Sequence, residues 1–516
     1  MGPGGASRLG PPGREGACRR RPPAMGLAHA ASLTSRSPRL RLGASGMQRA
    51  SVAVLARHGV PISARAAWAE HAQPPASALA AAVVGLSTAG AVAATRRATC
   101  SRAPRAVRRA GAVDGVRELP AMIGPERKER FEKQGWGVVG SHSATKLCRW
   151  TKSMLQGKGG CYKHTFYGIA SHRCMEHTPN VSCANKCVFC WRNHINPVAL
   201  DWKFQTDDPE AIIEESLRKH LQTIEEQCLS PNALEERMAE AREVRHCALS
   251  LVGEPVAYPR IAEFLAGLHR RRISSFLVTN GQHPEAMRAL PAVTQLYVSC
   301  DGNDPRGLED VGRPLFKDFW ERYMQSLDVL SSRSERTVCR LTLIREINME
   351  RPKAWADILR RASPDFIELK GVTLSALFEE AGLKKWNMPT HHELRFFAQA
   401  LVELLPGYGL ASEHEHSVSV LIASDRFKDS TGAWRTWIDF DRFTELWASG
   451  KPVNALDYTL PTPPWALYDS ANHGFAPTET RKRRSRKRPL YSLRDPEAPP
   501  QDDPFFPPWL EKALEG

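Results

Sequence analysis

Three cysteines within eight residues, Cys183-Ala-Asn-Lys-Cys187-Val-Phe-Cys190, constrain this chain more than any other stretch. Thiolates at x3 and x2 spacing cap three irons of a cubane cluster and leave the fourth iron open, whereas a fully ligated cluster only carries electrons. The amino and carboxylate groups of S-adenosylmethionine can fill that vacancy. Reduction then cleaves the S–C5′ bond and releases a 5′-deoxyadenosyl radical, chemistry that the cofactor performs and the protein aims. Zinc is the alternative occupant. Zinc sites more commonly show two C-x2-C units, and only one, Cys187 with Cys190, is present here.

The other cysteines sharpen this reading. Cys148, Cys161, Cys174, Cys183, Cys187 and Cys190 fall within 43 residues, and the remaining six are scattered. Without a secretory signal, such a cluster reads as metal ligation rather than a disulfide framework. The net charge of +15 invites a nucleic-acid reading, but residues 1–112 account for all of it: seventeen arginines, no lysine, and only Glu15 and Glu70 as acids. The rest is formally neutral, with 54 basic and 54 acidic residues. That first segment is a disordered leader by composition, rich in Ala, Arg, Ser, Pro and Gly, and it matches a transit peptide for a plastid or mitochondrion. A cytoplasmic location is the alternative. Within it, Ala78–Thr95 is long enough for a membrane span, or serves as the hydrophobic element of a bipartite presequence.

From Pro120 onward β and α patterns alternate. A helix over Asp208–Glu225 places Ile213, Leu217, Leu221 and Ile224 on one face. Strands are expected at His246–Glu254, Ser274–Gly281, Gln295–Gly302, Val338–Asn348, Asp365–Val372 and Ser417–Ala423. Helices are expected at Arg260–Arg272, Leu315–Leu330, Lys353–Ala362 and His391–Leu405. Such an α/β alternation implies a parallel sheet wrapped by helices, a full or partial barrel with its chemistry at the carboxyl ends of the strands. Gly253-Glu254, Thr279-Asn280 and Asp301 all fall at such ends, where Glu254 suits the methionine ammonium of the cofactor. After Leu460 the chain becomes Pro-rich, and Arg481–Arg488 holds seven basic residues in eight.

Several longer segments are specific. KLCRWTKSML (146–155), GKGGCYKHTFYGIASHRCMEHTP (157–179) and CANKCVFCWRNHINPV (183–198) resemble the tRNA 4-demethylwyosine synthase family, radical SAM enzymes of wybutosine biosynthesis. HCALSLVGEP (246–255), RLTLIREIN (340–348), DFIELKGVT (365–373), EHEHS (413–417) and WRTWIDFDRF (434–443) extend the similarity to about residues 138–477. The resemblance implies a partial (β/α)6-type radical SAM barrel over 120–375, a wyosine-forming C-terminal region over 376–460, and a Pro-rich and basic tail over 461–516. It implies a carbon–carbon lyase acting on tRNA-Phe whose guanosine just 3′ of the anticodon is N1-methylated. The deoxyadenosyl radical would take hydrogen from that methyl group. The carbon radical would then attack the carbonyl carbon of pyruvate, whose C1 is expelled.

The resemblance also assigns residues. Phe189 would pack on the adenine of the cofactor, and Glu254 and Asn280 would complete its site. Cys148, Cys161 and Cys174, thirteen residues apart each, read on spacing alone as buried structural thiols; by resemblance they ligate a second [4Fe–4S] cluster with its own open iron. Lys163, two residues after the middle cysteine, would form a Schiff base with pyruvate, and the guanine exocyclic amine would displace it to close the third ring. Surrounded by Tyr162, Phe166 and Tyr167, such a lysine would be desolvated, which favours the neutral nucleophile.

The chain departs from the family at three places. Relatives often carry a flavodoxin-like domain with FMN; the leader lacks a strand–phosphate-loop–helix unit, so no FMN is expected, and an external donor such as ferredoxin or flavodoxin would supply electrons to a monomer. Leu374-Ser375-Ala376 stands where a Cys-Gly pair is common, and Ser412 stands where Cys often precedes EHEHS. Arg481–Arg488 reads either as a tRNA phosphate grip or as a solvated or nuclear-import-like tail. Arg173, Lys186, Arg192 and Arg345 are expected near the strand-top loops. His414 and His416 read either as substrate-orienting groups or as a structural pair.

Overall fold

The computed structural model describes residues 119–190, 197–227, 230–373 and 380–480. The leader and its apolar run Ala78–Thr95, Arg192, Leu374–Ala376 and Arg481–Arg488 lie outside these residues. Among the described residues no helix is long and apolar enough to cross a membrane.

Ten strands form one mixed sheet. Six of them run parallel: β3 (Cys174–Thr178), β4 (His246–Leu249), β5 (Ser274–Thr279), β6 (Gln295–Cys300), β7 (Arg336–Leu343) and β8 (Phe366–Gly371). Antiparallel strands extend both edges. β1 (Trp136–Val139) and β2 (Ser143–Lys146) precede β3, while β10 (Ser419–Ser424) pairs with β8, and β9 (Tyr408–His414) lies outside β10. The six parallel strands match the α/β barrel reading, although several boundaries differ. β4 stops at Leu249 rather than Glu254, because Gly253 takes a left-handed φ of 73° and the chain bends across the strand end. β7 stops at Leu343, where the Asn348 side chain accepts the Ile344 N–H at 2.7 Å. The helix expected from Leu315 begins at Phe319, since the Leu315 N–H is committed to the Ala184 carbonyl at 2.9 Å.

Period-two alternation sorts each strand into two faces. Leu296, Val298 and Cys300 of β6, Cys339, Leu341 and Leu343 of β7, and Ile367 and Leu369 of β8 face outward into the main core. There they meet Phe264, Leu265, Leu268, Leu327, Trp355 and Leu359 of the covering helices. Facing inward are Phe276, Tyr297, Val338 and Phe366, which pack with Tyr162, Phe166 and Tyr167 as a floor. Above that floor the inward positions turn polar.

The floor includes a short helix, Tyr162–Tyr167, and the C-terminal region holds it in place. The Trp437 indole donates to the Thr165 carbonyl at 3.0 Å, the Thr436 hydroxyl donates to the Phe166 carbonyl at 2.8 Å, and the Thr165 hydroxyl donates to the Gly474 carbonyl at 2.8 Å. Residues 461–480, which composition places in the tail, therefore pack against the barrel: Phe475 and Ala466 are buried. Gly168 ends the helix in the left-handed region at φ 78°, and a Cβ there would lie 2.9 Å from the Trp437 ring. Gly432 has a similar φ of 84° but open space around it. Gly168→Ala is therefore expected to cost roughly 2 kcal/mol or more, and Gly432→Ala only about 1 kcal/mol, in denaturant unfolding. Equal losses would show that the Trp437 contact does not fix this helix.

Candidate active site

Two sets of thiols approach the barrel interior from opposite ends of β3. Cys174 opens the strand, and the loop Cys183–Cys190 follows its far end. At ~3.3 Å per residue the strand separates these ends by roughly 13 Å, too far for both sets to serve one metal centre. The loop is pinned by backbone hydrogen bonds. Lys186 N–H donates to Gly312, Val188 N–H to Val311 at 2.9 Å, and Glu254 N–H to the Ser182 carbonyl at 2.8 Å. Asn280 Nδ2 donates to Cys183 Sγ at 3.3 Å, and Asn280 N–H donates to Glu254 Oε2 at 2.9 Å. Gly253 permits this convergence, since a Cβ there would sit 1.8 Å from the Asn180 carbonyl oxygen.

The second set comes from three different elements. Cys148 caps the helix Arg149–Leu155, its sulfur accepting the Trp150 N–H at 3.4 Å. Cys161 precedes the helix Tyr162–Tyr167 and accepts from the Ser171 hydroxyl at 3.5 Å. Burial pushes all three thiols up. Glu176 adds to the shift at Cys148 and Cys174, while the Lys163 ammonium opposes it at Cys161 and Cys174. Buried thiols of this kind ionise only beside added positive charge, which the irons of a cluster would supply. Among the described residues no three His, Cys, Asp or Glu side chains converge on a single ion. A cubane does not require that, because each thiolate binds a different iron.

A cavity of about 780 Å³ joins the two ends, lined by Cys148 on one side and by Cys183, Cys187, Cys190 and Phe189 on the other. Glu254, Asn280 and Asp301 also line it. Lys163, Cys161 and Cys174 do not line this cavity. They sit close enough to its lining residues Cys148 and Glu176 to act on their ionisation. Lys163 is 8% exposed, with its amine 5.0 Å from the Tyr297 ring centroid.

Several lining groups escaped the reading from sequence. Arg340 and Thr342 on β7, Lys370 on β8 and Glu176 on β3 line the cavity, and Glu368 lies buried among the tyrosines of the floor, next to the hydroxyls of Tyr162 and Tyr167. The available signal was period two: RLTLI and IELKG place a polar residue at alternate positions of otherwise apolar strands. Burial, helped by Arg340 and Arg149, lowers Lys370 to about 7, and burial raises Asp301 and Glu254 to about 7. Three groups are thereby tuned to exchange protons near neutrality. Of the expected strand-top cations, Arg173 instead sits at the opening of β3, bonded to Glu243 at 2.5 Å, because it precedes rather than follows the strand. Arg345 is buried against Glu393, and Lys186 is exposed. His414 is buried, with Nδ1 2.6 Å from the Ser417 hydroxyl.

The fold and the cysteine loop define a radical SAM protein: the Radical SAM superfamily model matches residues 178–359, and the Wyosine base formation model matches residues 361–424. The S-adenosyl-L-methionine-dependent tRNA 4-demethylwyosine synthase TYW1 of Xenopus laevis is 51% identical over 372 residues, which cover 71% of this chain and 50% of that protein. The synthase of Oryza sativa subsp. japonica is 47% identical over 402 residues, covering 76% and 61%. A solved TYW1 structure with a bound lysine–pyruvate adduct is 32% identical with a TM-score of 0.54, covering 59% of this chain and 97% of that one. This chain belongs to the tRNA 4-demethylwyosine synthase family, and it spans about half the length of the vertebrate relatives it matches.

Glu254 gives a pH test. Its folded value lies above the ordinary 4.5, so the folded state binds the proton more tightly and loses stability as pH rises from about 4.5 to about 7; the cost is complete above that. Glu254→Gln removes the cost. In urea unfolding of metal-free protein its advantage over the parent should grow across that window, up to roughly 3 kcal/mol, then level off. An advantage independent of pH would contradict the assignment.

Proposed function

We propose that this protein forms 4-demethylwyosine in tRNA-Phe, condensing N1-methylguanosine 3′ of the anticodon with pyruvate. The observation that carries the reading is the pairing of a buried lysine with a thiol set that reaches one end of a cavity through Cys148, while the other end bears the Cys183–Cys190 loop. Cys183, Cys187 and Cys190 would hold one [4Fe–4S] cluster, and Cys148, Cys161 and Cys174 a second. With S-adenosylmethionine bound and an external donor supplying an electron, the first cluster provides the 5′-deoxyadenosyl radical.

The chain's own residues would do the rest. Glu254, ionised above about pH 7, would hold the ammonium of the cofactor, and Phe189 would cover its adenine. Lys163 would capture the carbonyl carbon of pyruvate as an imine, fixing the keto acid beside the second thiol set. Burial of Lys163, with its amine over the Tyr297 ring, keeps water away and would protect an imine from hydrolysis. When the guanine exocyclic amine replaces the lysine, a proton must leave that nitrogen and another must reach the departing amine. Lys370 and Asp301, both poised at about 7 in the cavity wall, suit such transfers. The base itself must leave its stack, which is easier in a single-stranded loop than in a duplex.

Anaerobically purified protein should carry roughly eight irons per chain if both thiol sets are filled. Borohydride reduction with pyruvate should fix a pyruvate-derived mass on the tryptic peptide containing Lys163. Lys163→Ala should lose both that adduct and the tricyclic nucleoside, detected by mass spectrometry of N1-methylguanosine tRNA, while still cleaving S-adenosylmethionine. Product formation by Lys163→Ala would defeat the imine role, and a colourless, zinc-loaded protein would defeat the radical reading altogether.

A further inference from the structure

The cavity needs a surface to receive a base, and its aromatic lining is sparse. Of the described residues that line it, Trp150 and Phe189 are the aromatic ones. Phe189 packs against an apolar cluster with Val188, Val311 and Ile344 and is assigned above to the adenine of the cofactor. Trp150 lies at the other wall, beside Cys148, and is only half-buried. Its plane is set from behind. His414 meets it edge-on at 5.7 Å and 71°, and His416 at 5.4 Å and 74°; both histidines lean on Phe475, at 4.8 and 5.8 Å. Burial lowers the His414 pKa far below its usual value, so this backing carries no charge from that ring at neutral pH. The exposed Arg149 guanidinium lies over the Trp150 ring, 5.1 Å from its centroid, so a stacking base takes the place of this cation on the ring face. Among the described residues neither Arg149 nor the neighbouring exposed Lys152 has a carboxylate within ion-pair distance. A half-buried indole braced by ring contacts, with two cations that lack carboxylate partners and can turn to phosphate, is an arrangement with which proteins hold unpaired nucleotides.

We propose that Trp150, braced by His414 and His416, is the platform on which the target base of a single-stranded RNA loop stacks as it enters the cavity, with Arg149 and Lys152 meeting the adjoining phosphates. This rests on the RNA-modifying reading above and extends it: EHEHS acts on substrate only through the indole, so His414 and His416 are positioning residues.

The test is a double-mutant cycle on the full-length, cluster-loaded protein. The probe is a 5′-labelled anticodon stem-loop, with either N1-methylguanosine or an abasic site at the target position, and binding is read by fluorescence anisotropy. The abasic change should weaken binding to the parent roughly tenfold, the yield of one base–aromatic stack, and should leave Trp150→Ala nearly unaffected. Trp150→Phe should restore most of the parent's sensitivity. KM for the stem-loop should rise in Trp150→Ala more than kcat falls, with iron content equal to the parent. Additive effects of the two changes would overturn the platform, as would iron loss in Trp150→Ala that Trp150→Phe does not repair, since either means that the indole merely supports the fold around Cys148. Coupling without any tricyclic product would keep the platform and defeat the proposed synthesis. A parent that binds neither stem-loop would defeat both.

Discussion

The grip of the C-terminal region on the helix Tyr162–Tyr167 is the contact on which the rest of this site depends. Six residues cannot hold a helix by themselves, because nucleation fixes several dihedrals before any hydrogen bond repays them. Its last carbonyls, those of Thr165 and Phe166, would be orphans at a helix end; here the Trp437 indole and the Thr436 hydroxyl satisfy them. The same clamp therefore sets the position of Cys161 just before the helix and of Lys163 within it. The buried guanidinium of Arg336 adds a second tie, bonding both Gln295 on β6 and the Thr436 carbonyl. Leaving such a cation buried without those partners would cost several kcal/mol, so the floor and the C-terminal region stay in register.

Polar residues inside a barrel are costly to bury, and this one concentrates them above its floor. Glu368, Asp301 and Glu254 are all buried carboxylates, and Asp301 leaves Oδ1 without a hydrogen-bond partner. A core chosen for stability alone would fill those positions with Val or Leu, as the outward face of the same strands does. The interior is thus built for occupants whose charge and hydrogen bonds complete it. Its three groups near pH 7 arise from this burial, without any special chemistry of their own.

The cysteine loop was legible because its ligands are adjacent in sequence and because strand ends after parallel strands gather at one end. Glu254 and Asn280 followed from the same rule, and both line the cavity with Cys183. Cys148, Cys161 and Cys174 were opaque to spacing, since they come from a helix cap, the residue before a second helix and a strand start, which only the fold brings near one another. Arg173 misled for a related reason: nothing in its neighbourhood marks that β3 begins after it. The edge strands β1, β2 and β9 carry no parallel-sheet run to reveal them, and β1 includes a glycine. Alternate polar residues in RLTLI and IELKG were visible and would have pointed inward had the strand faces been assigned.

An open sheet of ten strands exposes unpaired backbone at its margins, and β9 would be such a margin. The segment after Leu460 lies along it. The Leu467 and Ser412 backbones pair, Tyr468 N–H donates to Ala411 at 3.1 Å, and Ser412 Oγ donates to Ala466. A Pro-rich stretch that cannot itself extend a sheet thus seals the edge against strand addition by another chain. What composition presents as a trailing appendage is, in the fold, a guard against self-association. The same segment therefore serves twice, sealing the edge and, through Gly474, holding the helix that carries Lys163.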